Sequence, residues 1–290
     1  MSEQGSLRAT GASEGRIARC FAALARRGEL GLVAYVTAGD PSLEATEEIV
    51  LAAAEAGADV IELGVPFSDP IADGPVIQRA SERSLRGGTT LAGVLGLAAR
   101  IRKESEIPIV LFSYFNPILQ MGLEASAAAA ADAGADGVLA TDLTLEEACE
   151  YRTAMHARGL DTIFLAAPTS TDARLKMIAE SSNGFLYLIS RTGVTGAKEA
   201  LPDGLPSLVR RARQFTTLPI AAGFGISQPA HVAALGGLAD AAVVGSALVA
   251  EIEKSDSADS AARAVADRIR ALKRAAREGI SRREESTGQR

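Results

Sequence analysis

A single closed (β/α)8 barrel of the α/β class, a TIM barrel, is the fold this chain predicts, and three observations predict it. A helix, a glycine and a short apolar strand recur as one unit at AAEAGADVIELG from Ala53, AADAGADGVLAT from Ala130 and HVAALGGLADAAVVGS from His231. Each unit ends an Ala-rich helix at Gly, where left-handed backbone costs little, and passes through Ala-Asp into the strand. Eight such strands are legible along the chain, the number a closed barrel takes. They read as continuous apolar runs, as parallel strands covered by helices do. An open doubly wound sheet is the lesser alternative.

In order, the strands are expected at Leu32–Thr37, Val60–Gly64, Ile109–Ser113, Gly137–Ala140, Thr162–Ala166, Phe185–Ser190, Ile220–Gly223 and Ala241–Gly245. The helices that follow them are expected at Ser42–Ala56, Thr90–Glu104, Leu123–Ala133, Leu145–Arg158, Thr171–Ser181, Leu205–Phe215, Pro229–Leu235 and Ser246–Ile252. Three helices are surplus to the eight units. Ile17–Arg26 is amphipathic and suits the barrel bottom, Gly74–Leu85 adds a short helix after strand 2, and Ser260–Glu278 is a final helix packed outside with its arginines in water. Residues 1–15 and 279–290 are polar and small enough to be flexible tails around one catalytic domain over 16–278.

Composition narrows the class. Of 290 residues 47% are hydrophobic but only 4% aromatic, with no Trp, so the core is one of Ala, Val, Ile and Leu. Thirty basic against 36 acidic residues leave a net charge of −6, which opposes broad attraction to nucleic acid or anionic lipid and leaves room for a local anion site. Cys20 and Cys149 lie far apart within helical stretches, which reads as a reduced compartment and two quiet buried thiols. The first 15 residues hold no signal-peptide core, and no apolar run reaches the roughly 18 residues a membrane span requires. A cytoplasmic protein with no membrane role is expected.

In a barrel of this kind, chemistry sits on the loops after the strands' carboxyl ends. The segment IELGVPFSDPIADGPVIQRAS, from Ile61 to Ser81, carries the most information: strand 2 turns Glu62 inward while Ile61 and Leu63 face the helices, and its Pro/Gly/Asp-rich loop brings a second carboxylate, Asp73. The bland alternative is a salt-bridged structural Glu. Asp69 reads as a turn cap. The loops after strands 7 and 8, Gly223–Ser227 and Gly245–Ala247, are glycine turns opening onto helices, so free amides at Gly223, Phe224, Gly225, Gly245 and Ser246 are positioned for a phosphate. Any tight turn needs a glycine, but both lie where barrels hold phosphate. After strand 6, SRTGVTGAKEALPDG has no secondary-structure signal and reads as a mobile lid. Arg191, Gly193 and Thr195 belong to it, and Gly196 would join the phosphate cradle.

Elimination limits the chemistry. Lys103, Lys176, Lys198, Lys254 and Lys273 fall in helices or the lid, away from strand ends, so a Schiff-base amine is missing. His156 and His231 are the two histidines and lie on helices, too few for a His-rich metal centre. Metal-free proton transfer by carboxylates remains. Tyr35, Phe112, Tyr114, Leu139, Leu165, Tyr187 and Phe224 gather at the same mouth; singly each reads as core, together as a pocket for a flat ring. A phosphorylated aryl substrate fits both ends.

AYVTAGDPS (Ala34 to Ser42), IELGVPFSDPIADGP (Ile61 to Pro75), FSYFNPILQMG (Phe112 to Gly122), LYLISRTGVTGA (Leu186 to Ala197), AAGFGIS (Ala221 to Ser227) and VVGSALV (Val243 to Val249) together make the chain resemble the tryptophan synthase α subunit family. The resemblance implies a lyase of tryptophan biosynthesis that splits indole-3-glycerol phosphate into indole and glyceraldehyde 3-phosphate by a retro-aldol reaction. It implies Glu62 as general acid/base, Asp73 as the carboxylate at the indole N–H, and Tyr187 as pocket lining. It also implies no cofactor in this chain, with pyridoxal phosphate in a partner β subunit, and an α2β2 assembly docked through Pro66–Asp73 and Tyr114–Pro117. Thr144 stands where the family usually has Pro, and Thr141 where a small apolar residue often lines the pocket. Three alternatives stay open: a stand-alone indole-releasing lyase, an idle phosphate-binding subunit that activates a partner, and another phosphosugar isomerase or epimerase barrel.

Overall fold

The computed structural model describes residues 15–189, 204–223 and 225–287, with side chains described through 279. Its elements run α1 (Arg16–Arg27), β1 (Gly31–Thr37), α2 (Leu43–Glu55), β2 (Val60–Gly64), α3 (Pro75–Arg86), α4 (Leu91–Glu104), β3 (Ile109–Ser113), α5 (Phe115–Met121), α6 (Leu123–Asp132) and β4 (Gly137–Ala140). They continue through α7 (Cys149–His156), β5 (Asp161–Thr162), β6 (Leu165–Ala166), α8 (Asp172–Ser181), β7 (Leu186–Ile189), α9 (Leu205–Ala212), β8 (Ile220–Gly223), α10 (Pro229–Leu235), β9 (Ala241–Val244), α11 (Ser246–Glu253) and α12 (Ala258–Thr287).

All strand pairs are parallel, in the order β5-β4-β3-β2-β1-β9-β8-β7-β6. The two ends of that order are consecutive in the chain, and there the barrel closes. The expected single strand Thr162–Ala166 is two short segments: β5 pairs with β4, β6 pairs with β7, and the chain changes partner at Ile163 and Phe164. Ile163 N still donates to Val138 O at 3.2 Å, and Phe164 O accepts from Tyr187 N at 3.4 Å. Eight staves therefore close the ring, the fifth one in two pieces.

Strand alternation sorts the core into two layers. Leu32, Ala34, Val36, Ile61, Leu63, Ile109, Leu111, Leu186, Leu188, Ala242 and Val244 face the helices. Val33, Tyr35, Val60, Val110, Phe112, Leu139, Ile163, Tyr187, Ala221, Ala241 and Val243 fill the barrel interior. Helix α1 seals the bottom, because Ile17, Phe21 and Leu24 recur at helical spacing and join that interior cluster, with Phe21 against Phe185 at 5.7 Å between ring centres. Burial of three such side chains contributes about 1.5–3 kcal/mol each. Gly28, in the left-handed conformation at φ 62°, ends the helix.

The remaining differences from expectation are local. Helix α7 starts at Cys149 rather than Leu145, because residues 144–148 close tight turns from Glu147 N to Thr144 O and from Ala148 N to Leu145 O. Helix α9 ends at Ala212, ahead of Phe215. Helix α5 was not expected: Pro117 lies in its first turn, where a missing N–H removes no helical bond. Helix α12 runs to Thr287 instead of stopping at Glu278. Gly279 does not break it; a Cβ there would lie 2.3 Å from Ala233 O, so the glycine admits α10 to close approach. Cys20 is half-buried, and Cys149 is exposed at the start of α7 rather than buried. Helix α12 is further anchored by Lys273, which ion-pairs with Asp59 at 2.6 Å, while Asp59 also accepts from Leu32 N at 2.7 Å. No described helix is long and apolar enough to cross a membrane.

Candidate active site

The site follows from the inward register of the first three strands. Tyr35 on β1 pairs with Glu62 on β2, which pairs with Val110 on β3, so Glu62 enters the barrel among interior apolar side chains. It is 0% exposed, and neither carboxylate oxygen has a hydrogen-bond partner among the described residues. Loss of water penalises its charged form and pushes its pKa up to about 8. Glu62 is therefore mostly protonated at neutral pH.

Asp73 reaches the same cavity from the next loop. A turn from Asp73 N to Pro70 O at 3.0 Å leads into Gly74 and α3, and Gln78 Nε2 donates to Asp73 O at 2.9 Å. Burial raises the Asp73 carboxyl, Tyr114 Oη opposes this by donating to Oδ2 at 3.3 Å, and the balance stands at about 6. Tyr114 also accepts from Ala72 N at 2.9 Å and stacks on Phe67 at 4.9 Å. Its position is that of a brace on the Asp73 loop. Asp69 is exposed and accepts from its neighbour Ser68.

Among the described residues Tyr35, Glu62, Asp73, Gly74, Ile77, Phe112, Tyr187, Gly225, Ile226, Val243, Gly245 and Ser246 line one cavity, which is partly open to solvent. Tyr35 meets Phe112 edge-on at 5.2 Å and 79°. The turns at Gly225 and Gly245 present backbone to the cavity: Gly225 has φ 90°, a conformation other residues rarely adopt, and Gly245 caps α11 with no side-chain cap hydrogen bond among the described residues. A carboxylate pair and an amide cradle thus share one apolar-walled space. That arrangement suits acid/base chemistry on a ring bearing a phosphate.

Of the sequence-predicted residues, Glu62, Asp73, Tyr35, Phe112, Tyr187, Gly225, Gly245 and Ser246 come together there. Leu139 lies within the interior core, Leu165 packs half-buried against it, and Tyr114 acts one step away through Asp73. Gly223 lies beside Tyr187: a Cβ at 223 would stand 2.4 Å from the Tyr187 hydroxyl, so ring clearance explains that glycine. Phe224, Gly196, Arg191, Gly193 and Thr195 fall outside the described residues. Gly74, Ile77, Ile226 and Val243 were missed; of these Val243 carried a signal, two residues before Gly245 on the inward face. Thr141 has a buried hydroxyl without a partner among the described residues, and Thr144 Oγ1 lies 3.0 Å from Glu147 Oε2; neither is among the cavity's described lining. No three described His, Cys, Asp or Glu side chains converge as a metal site would.

Residues 21–277 match the family model described as tryptophan synthase alpha chain. The chain belongs to this family. The tryptophan synthase alpha chain of Solibacter usitatus is 56% identical over 247 residues, 85% of this chain and 92% of that one. That of Geobacter sulfurreducens is 48% identical over 260 residues, 90% of this chain and 98% of the relative. Among solved structures, a Mycobacterium tuberculosis tryptophan synthase chain superposes with TM-score 0.84 at 34% identity, covering 91% of this chain and 99% of its own. The Legionella pneumophila alpha subunit does so with TM-score 0.81 at 35% identity, covering 92% and 100%. The closed barrel and the lyase class implied by the sequence resemblance are those of the tryptophan synthase alpha chain family. A tryptophan synthase alpha chain implies a β-subunit partner and a small-molecule substrate.

Proposed function

We propose that this tryptophan synthase alpha chain cleaves indole-3-glycerol phosphate to indole and glyceraldehyde 3-phosphate, with Glu62 as acid and base and Asp73 as the anion at the indole N–H. The observation that carries the reading is the shared cavity: two carboxylates of unequal environment beside an amide cradle. Glu62, protonated at neutral pH, gives its proton to indole C3. The resulting indolenine cation is stabilised by Asp73, ionised above about pH 6. Glu62, now a carboxylate, accepts the proton of the glycerol hydroxyl as the C–C bond breaks and its electron pair returns to the ring. Tyr35, Phe112 and Tyr187 supply the apolar walls for the ring, and the turns at Gly225, Gly245 and Ser246 hold the phosphate. The roles of Gly196 and Gly223 in the cradle, and of Arg191, Gly193 and Thr195 in a covering lid, are proposed from sequence.

The chain itself needs no cofactor in this scheme. Pyridoxal phosphate belongs to the β partner, the assembly is α2β2, and the compartment is the cytoplasm. The docking face is Pro66–Asp73 with Tyr114–Pro117, segments that Phe67 and Tyr114 join by stacking and that set exposed Ile71 beside the Asp73 turn. An idle phosphate-binding subunit is not favoured, because both carboxylates face the cavity.

Indole release from indole-3-glycerol phosphate by the full chain, with β subunit titrated in, tests this reading. Glu62→Gln and Asp73→Asn are each expected to lose at least about 100-fold in rate while folding normally. Near-wild-type turnover in either variant would refute its assigned role.

A further inference from the structure

The loop after β1 and helices α3 and α11 meet in a charged network that the proposed reaction does not use. Arg83 on α3 donates Nε and Nη2 to the two oxygens of Asp40, each at 2.8 Å, and Asp40 is 1% exposed. The remaining Nη1 of Arg83 donates to Glu253 Oε1 at 2.8 Å. Arg79, one helical turn earlier, donates Nε and Nη2 to both oxygens of Glu253, each at 2.7 Å. Next to Arg83, Ser84 Oγ donates to Ala38 O at 2.6 Å. Helix α3 is thereby fixed to the loop after β1, and the last residue of α11 is fixed to α3.

Local helix physics does not explain Glu253. A carboxylate at a helix C-terminus faces the negative end of the dipole, and α11 has no basic residue in its last turn to offset it. The tertiary pairing explains it instead, and the two arginines hold the Glu253 carboxyl down at about 2. Those helices are also the ones that furnish the site: α3 follows Asp73 and contributes Ile77, and α11 begins at the Gly245–Ser246 turn. Their relative placement sets how far the anion at the ring stands from the phosphate cradle.

We propose that Arg83 and Glu253 are positioning residues, which fix the phosphate-binding turn of α11 at its working distance from Asp73. The proposal rests on the cavity being the substrate site described above. An isolated exposed ion pair contributes little. Here, however, Arg83 holds two acids at once, so the Glu253 arm can be removed while the buried Asp40 keeps its partner. Arg83→Ala would strand Asp40 without its counter-charge and confound folding with function, which makes Glu253→Gln the cleaner variant.

The test uses the full chain with saturating β subunit for steady-state kinetics, and titration calorimetry of the full chain with inorganic phosphate. Glu253→Gln is expected to weaken phosphate binding and raise KM for indole-3-glycerol phosphate by about tenfold each, with kcat changed by less than about threefold and the thermal midpoint held. Unchanged phosphate affinity and KM would overturn the proposal. So would a lowered thermal midpoint with phosphate affinity intact, since that assigns Glu253 to folding alone. Phosphate binding needs no turnover, so a wild-type chain that binds phosphate yet releases no indole would sink the proposed function while the Glu253→Gln affinity still decides this inference.

Discussion

Glu62 spends the neutral pH range as an acid because nothing around it favours its charge. Both oxygens lack described partners and the side chain is fully buried. The same isolation couples folding to pH. Freed into water on unfolding, this carboxyl returns from about 8 to its ordinary value of 4.5, so the folded state binds the extra proton between those limits. Stability from this group is fully present below pH 4.5 and is lost as pH climbs through 8. Glu62→Gln has no charge to bury. Its stability relative to the wild-type chain is expected to rise from pH 5 to pH 9 by a few kcal/mol, read from urea unfolding at the two pH values. A constant difference between the two proteins would mean that water or another group solvates Glu62 in the folded state. Asp73 contrasts with it: the Tyr114 hydroxyl offsets part of the burial and leaves an anion at neutral pH. Two carboxylates in one cavity are thereby set to opposite protonation states.

At the scale of elements, what was legible in sequence depended on whether the cause was local. A positive-φ glycine and the Ala-Asp step signal three of the αβ junctions, at Gly57, Gly134 and Gly237, and the inward turn of Glu62 follows from strand alternation alone. Asp73 was legible because a carboxylate in a Pro/Gly loop has no core explanation. Ile77 and Ile226 were not, since an apolar residue reads identically whether it fills a core or walls a cavity. The broken fifth stave was hidden as well: the exchange of partners between β4 and β7 belongs to the closure of the ring, not to residues 161–166. Pro117 disguised α5 as a loop, although a proline in a first turn is compatible with a helix. Gly279 is the sharpest case, because it looks like a helix stop and is a contact. Propensity alone would make Gly279→Ala stabilising by about 1 kcal/mol. Its approach to Ala233 O reverses the sign, and the variant is expected to lose about 1–3 kcal/mol in denaturant unfolding as α12 is pushed off α10. A stabilised Gly279→Ala protein would show that the two helices separate at little cost.

Across the whole molecule, the barrel uses its two ends differently. Helix α1 plugs the bottom with Ile17, Phe21 and Leu24, so that end serves stability, while the opposite end keeps the cavity open. The loop that holds Asp73 also carries Ile71 outward at 89% exposure, and Leu119 on α5 is 51% exposed. Ile71 lies in the first segment assigned to docking and Leu119 two residues past the second, and large apolar side chains in water are what a partner surface would cover. The ring of Phe67 on Tyr114, and the Tyr114 hydroxyl on both Ala72 N and Asp73, join that outer face to the Asp73 carboxylate across the loops after β2 and β3. Occupancy of the face by a β subunit would thus restrain Asp73 without touching the substrate. Ile71→Asp removes the apolar contact but leaves the Tyr114 contacts to Ala72 N and Asp73 in place. It is expected to raise the β-subunit concentration needed for half-maximal indole release by about tenfold, while the rate of the isolated chain and its unfolding midpoint stay unchanged. If the titration curve of the variant overlays that of the wild-type chain, the partner docks elsewhere on the barrel mouth; if the isolated rate falls instead, Ile71 acts on the Asp73 loop directly and not through assembly.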